Sequence, residues 1–176
     1  DLLIMESTYG ERRHEAVSDL KAALLEVVTE TVQRGGTVLI PAFAFGRTQV
    51  LLYMLHELHN EGRLPAIPIY VDSPLAANLT RVFAEHPELY DRDTQAEFLS
   101  KGQNPFRFDR VRFVGSVEES MALNRQDRPQ IIIAASGMCE AGRILHHLRF
   151  KIHNEKNTLL IVGYMAQNTL GRRIEE

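Results

Sequence analysis

Six short apolar runs punctuate the chain: LLIM (2–5), TVLIPA (37–42), IPIYVD (67–72), VRFVG (111–115), IIIAA (131–135) and LLIVGY (159–164). Several are unbroken rather than alternating, which is the pattern of strands buried on both faces. Between them the period becomes helical. In EAVSDLKAALLEVVTETVQRGG (15–36), apolar residues at 17, 20, 24, 27, 28 and 32 form one stripe, which Gly35 and Gly36 end. RTQVLLYMLHELHNEG (47–62) behaves alike and stops at Gly62. In DSPLAANLTRVF (72–83), Ser73 suits an N-cap and Pro74 a first helical position. The stretch 88–110 is the least regular and reads as a helix with a surface excursion. This alternation predicts an α/β fold: a mostly parallel six-stranded sheet with helices on both faces.

In open α/β sheets, ligands collect beyond the carboxyl ends of the strands. The residues expected there are Glu6-Ser7-Thr8-Tyr9-Gly10, the 42–47 stretch ending in Gly46 and Arg47, Asp72-Ser73-Pro74, the turn Ser136-Gly137-Met138, and Gln167-Asn168-Thr169-Leu170-Gly171-Arg172. Gly, Ser/Thr and Arg thus gather on one edge. Helix N-terminal amides with guanidinium groups nearby suit an anionic ligand. The plainer alternative is that each hydroxyl caps its own helix and each arginine is solvated.

Composition narrows the classes. The chain has 176 residues, 44% of them hydrophobic, and a net charge of −3. One domain is expected, burying about 70% of its unfolded surface. A polycation is excluded, so any nucleic-acid contact must come from a local basic patch. One cysteine excludes an internal disulfide framework and fits a reducing compartment. No apolar run approaches the roughly 18 residues of a membrane span, so a cytoplasmic location is expected. The start at Asp1 and the stop at RRIEE, within a helical pattern, read as a segment cut from something longer.

The stretch IIIAASGMCEAGRILHHL (131–148) admits four readings: a phosphate cradle, a cysteine nucleophile, a metal site, or a plain strand-to-helix connection. Gly137-Met138-Cys139-Glu140-Ala141 has nucleophile-elbow spacing. However, no Asp follows Cys139 and the later histidines all sit on the next helix, so a packed small hydrophobe suits Cys139 better. For metal binding, His56 and His59 miss the H-E-x-x-H spacing and read as a solvated helix face. His146 and His147 point about 100° apart. No metal ligand set is expected within these residues. Arg143 and His147 share one side of the helix, as either a phosphate-holding pair or a surface arginine with a half-buried histidine. Glu6 either orients a histidine or arginine, or is buried and paired with an arginine of the edge. Phe43 and Phe45 pack under their loop or stack bases.

Taken together, MESTYGERRH, GGTVLIPAFAFGRTQVLL, PIYVDSPLA, AASGMCEAGRILHHL and VGYMAQNTLGRRI resemble the β-CASP domain over nearly the whole chain. That Rossmann-like domain is inserted in metallo-β-lactamase-fold RNA nucleases. The resemblance implies that residues 1–176 are a β-CASP domain capping a catalytic domain of the same polypeptide. That catalytic domain holds two zinc ions and hydrolyses RNA phosphodiesters, with single-stranded RNA passing between the domains. It also implies that Glu6 helps orient a catalytic histidine beyond the insert. Ser136, Gly137, Met138 and Arg143 would line the RNA cleft, with Arg47 and Thr169 on neighbouring loops. The histidine and aspartate zinc ligands of the family are missing here, so the chain alone is expected to bind no zinc and cleave no RNA. The E-S-T-Y-G form looks more like the RNA-processing branch than a DNA-acting relative or a small-substrate hydrolase. A free-standing nucleotide-binding domain is the rival reading, although G-x-G-x-x-G is lacking after the first run. A protein-interaction module is the third.

Overall fold

The computed structural model describes residues 2–10 and 17–176. Along the chain run α1 (Val17–Gln33), β1 (Thr37–Pro41), α2 (Arg47–Asn60), β2 (Ile69–Asp72), α3 (Pro74–Glu85), α4 (Arg92–Glu97), β3 (Val111–Phe113), α5 (Val117–Asn124), β4 (Gln130–Ala134), α6 (Arg143–Lys151), β5 (Thr158–Leu159) and α7 (Leu170–Glu175). The strands form one parallel sheet in the order β3-β2-β4-β1-β5. The α/β class is as expected, with five strands among the described residues rather than six.

Every residue of β1, β2 and β4 is buried, which is why these runs read as unbroken. Successive side chains alternate between faces. Val38, Ile40, Ile69, Val71, Ile131 and Ile133 pack with Leu24 and Val28 of α1, Leu51, Leu52 and Leu55 of α2, and Ala76 of α3. Leu39, Tyr70, Ile132 and Ala134 meet Leu123 of α5 and Ile144 and Leu148 of α6, with Leu170 and Ile174 of α7 at the margin. Each buried isoleucine of β4 contributes roughly 1.5–3 kcal/mol by leaving water. Ser73 caps α3 by accepting from the Ala76 amide at 3.2 Å, with Pro74 at the first helical position.

Three expectations need correction. Leu2, Leu3, Ile4 and Met5 form no strand and are 86, 82, 84 and 73% exposed. A strand needs another backbone to satisfy its amides and carbonyls, and among the described residues this run finds none. The last run pairs with β1 only at Thr158 and Leu159; the Leu160 amide still donates to the Leu39 carbonyl at 2.8 Å before the chain leaves the sheet. His56 is buried, not solvated. The 98–110 excursion folds back over α2, placing the Pro105 carbonyl 3.1 Å from His56 Nδ1 and stacking Phe108 on the imidazole at 4.6 Å.

Topology sets the position of the site. The chain leaves β1 for α2 and β2 for α3 on one face of the sheet, but leaves β4 for α6 on the other. The carboxyl end of β4 is therefore flanked on both sides by loops that turn the opposite way, which opens a crevice there.

Candidate functional site

After β4 the chain makes an eight-residue turn before α6 begins at Arg143, later than the sequence pattern suggested. The Ala135–Ser136 peptide is cis. The Ser136 hydroxyl accepts from the Glu140 and Ala141 amides, each at 3.2 Å, and the Ser136 amide donates to the Ala141 carbonyl at 3.0 Å. Ser136 therefore braces the turn from inside. Gly137 lies under the half-exposed ring of Phe43, where a Cβ would come within 2.8 Å of the ring. Gly142 has φ +79°, and a Cβ there would meet the Ala135 carbonyl oxygen at 2.4 Å. Among the described residues, the backbone N–H groups of Gly137, Met138, Gly142 and Arg143 have no protein acceptor. Amides are rarely left unpaired without a ligand or water to take them.

Arg143 is tied to Asp72, which ends β2 and is fully buried. Its Nη1 lies 2.5 Å from Asp72 Oδ1 and donates to the Val114 carbonyl at 3.2 Å, while Nη2 donates to the Gly115 carbonyl at 3.3 Å. A guanidinium carries five N–H groups, so two remain for a ligand, and the side chain is 19% exposed. Asp72 Oδ2 takes the Ser120 hydroxyl at 2.5 Å and His147 Nε2 at 2.6 Å, and His147 Nδ1 lies 2.7 Å from Asn124 Oδ1. Burial pushes the Asp72 carboxyl up, but the hydrogen bonds from His147, Ser120 and Arg143 outweigh it and hold the group below its ordinary range. Arg143 and His147 do act as a pair on one side of α6. They converge on a carboxylate, and His147 is wholly rather than half buried. Because Asp72 offsets the guanidinium charge, an anion here would rely on the free amides and the two remaining N–H groups.

The other sequence-derived candidates lie apart from this hub. The Met138 carbonyl accepts from the Gly171 amide at 3.0 Å, joining the turn to α7. Thr169 caps α7, accepting from the Arg172 amide at 3.2 Å and donating to the Ala166 carbonyl at 2.7 Å. Arg47 opens α2 and lines a groove with Leu20, Leu51 and Leu160; it makes no hydrogen bond or ion pair to the Ser136 turn. Glu6 is exposed, not buried, and pairs with no arginine among the described residues. The Thr8 amide donates to it at 3.0 Å, and hydrogen bonding from Thr8 lowers its pKa. Phe45 is 68% exposed and meets Phe83 edge-on at 5.7 Å, so neither phenylalanine is tucked under its loop. Cys139 is buried in the core, which pushes its thiol up. Among the described residues no group of three or more His, Cys, Asp or Glu could hold a metal ion. Nor is any helix long and apolar enough to cross a membrane. The hub residues missed from sequence are Ser120, Asn124 and Asp72 in its central role; only the capping box S-x-x-E at 116–119 marked that neighbourhood.

The Beta-Casp domain family matches residues 48–174. The chain belongs to that family. It is 41% identical over 174 residues to ribonuclease TTHA0252 of Thermus thermophilus, covering 99% of this chain and 40% of the relative. It is 35% identical over 178 residues to transcription termination factor FttA of Methanosarcina mazei, covering all of this chain and 28% of that protein. It is 34% identical over 178 residues to an RNase J-like protein of Methanocaldococcus jannaschii, covering all of this chain and 40% of that protein. As a Beta-Casp domain, the chain spans less than half the length of these curated relatives.

Proposed function

We propose that this Beta-Casp chain is the RNA-facing cap of a zinc-dependent ribonuclease whose metallo-β-lactamase part lies elsewhere in the same polypeptide. The four unpartnered amides of the Gly137–Arg143 turn, beside a guanidinium held in place by Asp72, carry this reading. Preorganised amides and an immobilised arginine suit the phosphates of single-stranded RNA without reading its bases. Phe43, exposed against Gly137, offers a ring to a base. Ser136 and Thr169 serve the site by bracing their loops, and Arg47 by its charge at a neighbouring strand end. The described residues do not fit a zinc pair; in this reading the metal ligands come from the metallo-β-lactamase part. Glu6, exposed and ionised, would orient a catalytic histidine contributed from there. The relatives named ribonuclease support the reaction class, and the protein would work in the cytoplasm.

Cleavage of labelled single-stranded RNA in the presence of zinc tests this, comparing the 176 residues with the full-length protein that carries them. Activity only in the longer form is expected. Cleavage by the 176 residues alone would sink the proposal.

A further inference from the structure

The outer edge strand β3 carries a feature that the site above does not use. Two hollows flank the half-buried Phe113, one on each face of β3, with the ring on the α3 side and Arg112 on the other. One is lined by Thr80 and Arg81 of α3 with Asn104 and Arg107. The other is lined by Tyr70, Arg112, Gln126 and Arg128. The Arg107 guanidinium lies 5.9 Å from the Phe113 ring centroid. Among the described residues Arg107, Arg112 and Arg128 form no ion pair, and Arg81 has only a 3.7 Å contact with Glu85. Glu119, the one carboxylate lining either hollow, spends Oε2 on the Gly115 and Ser116 amides at 3.0 and 3.2 Å.

Charged residues on an edge strand can serve simply to discourage pairing with other sheets. That need would not call for an aromatic ring beside Arg107, nor for further arginines on α3 and the 104–107 loop. Exposed guanidiniums around a π face fit a chain of phosphates and bases. The patch is also continuous with the site. Val114 and Gly115, directly after Phe113, supply the carbonyls that hold Arg143.

We propose that the β3 edge is a second stretch of single-stranded-RNA-binding surface, which takes nucleotides that run on past the Gly137–Arg143 turn. It rests on the RNA reading of that turn. Phe113 stacks a base, while Arg107 and Arg112 hold the flanking phosphates.

The test is an anisotropy titration of the full-length protein with hydrolysis-resistant phosphorothioate oligouridylates of about six and about thirty nucleotides, lengths that bracket a single site and a longer track. Arg107→Gln with Arg112→Gln should weaken the long strand about tenfold and leave the short one unchanged. Two lost phosphate contacts should also reduce the salt slope by about 1.4. Arg107→Lys with Arg112→Lys should keep the slope. Phe113→Leu should weaken the long strand without changing it. Arg143→Ala should weaken both lengths. Wild-type affinity and slope for the double glutamine variant on the long strand would overturn the proposal, as would equal losses on both lengths. Displacement of the long strand by polyglutamate at equal charge concentration would overturn the assignment to RNA in favour of an acidic peptide. If neither strand binds the wild-type protein, the turn's RNA reading fails as well, a result distinct from long-strand binding that the β3 substitutions leave untouched.

Discussion

Asp72 and Glu6 both follow apolar runs, and in the linear sequence both look like carboxylates at strand ends. The fold treats them oppositely. Asp72 ends a central strand, is buried, and collects Arg143, His147 and Ser120. Among the described residues Glu6 follows a run with no partner strand and accepts from Thr8. A carboxylate's part in the structure is thus set by how many donors the topology brings to it. Asp72 shapes the crevice from within, whereas Glu6 stays at the surface.

The sharpest way to break this contrast is Asp72→Ala, which leaves the Arg143 guanidinium without its buried counter-charge and the His147 imidazole without its hydrogen-bond partner. A loss of about 3–5 kcal/mol is expected, read by chemical denaturation; a loss under 1 kcal/mol would deny Asp72 its central place. Gly137→Ala comes next. The new methyl displaces the half-exposed Phe43 ring and should cost about 1 kcal/mol by overpacking, with weaker RNA binding in the full-length protein. Unchanged binding would remove Phe43 from the RNA wall.

Acid should act in two windows. His56 has its pKa lowered, chiefly by burial, from an ordinary value of 6.5, so the unfolded chain binds the proton more readily and stability falls as pH drops below that value. Asp72, also depressed, contributes stability above its unfolded pKa, which is lost as pH falls through its folded one. Denaturation midpoints between pH 7 and pH 3 should show both, with His56→Gln removing the upper step. Persistence of that step in the variant would refute the histidine assignment. The smallest structural effect is expected for Glu6→Gln: an unchanged melting temperature, but reduced turnover in the full-length protein. Wild-type turnover would leave Glu6 without a catalytic part.

The elements that were legible owe their signal to local physics. Runs 37–42, 67–72 and 131–135 declared central strands because burial on both faces leaves no polar alternation, and Ser73-Pro74 declared a helix start through its own hydrogen bonding. The run 2–5 misled because apolar character signals burial against something without saying that the something is present. The capping box that Ser116 and Glu119 form was readable and marks α5. The Asp72 hub was not readable, since its partners lie 48, 71 and 75 residues downstream on two different helices. Only the sheet order brings them together.

That order also bears on how the chain is made. β4 is the fourth strand to be synthesised, yet it occupies the middle of the sheet between β2 and β1. Until it emerges, the two earlier strands lack the strand that joins them. From Pro41 to Ala134 the ribosome adds 93 residues, roughly five to twenty seconds of translation. Throughout that interval β1 and β2 each lack their shared neighbour, and the sheet can close only when Ile131, Ile132 and Ile133 arrive.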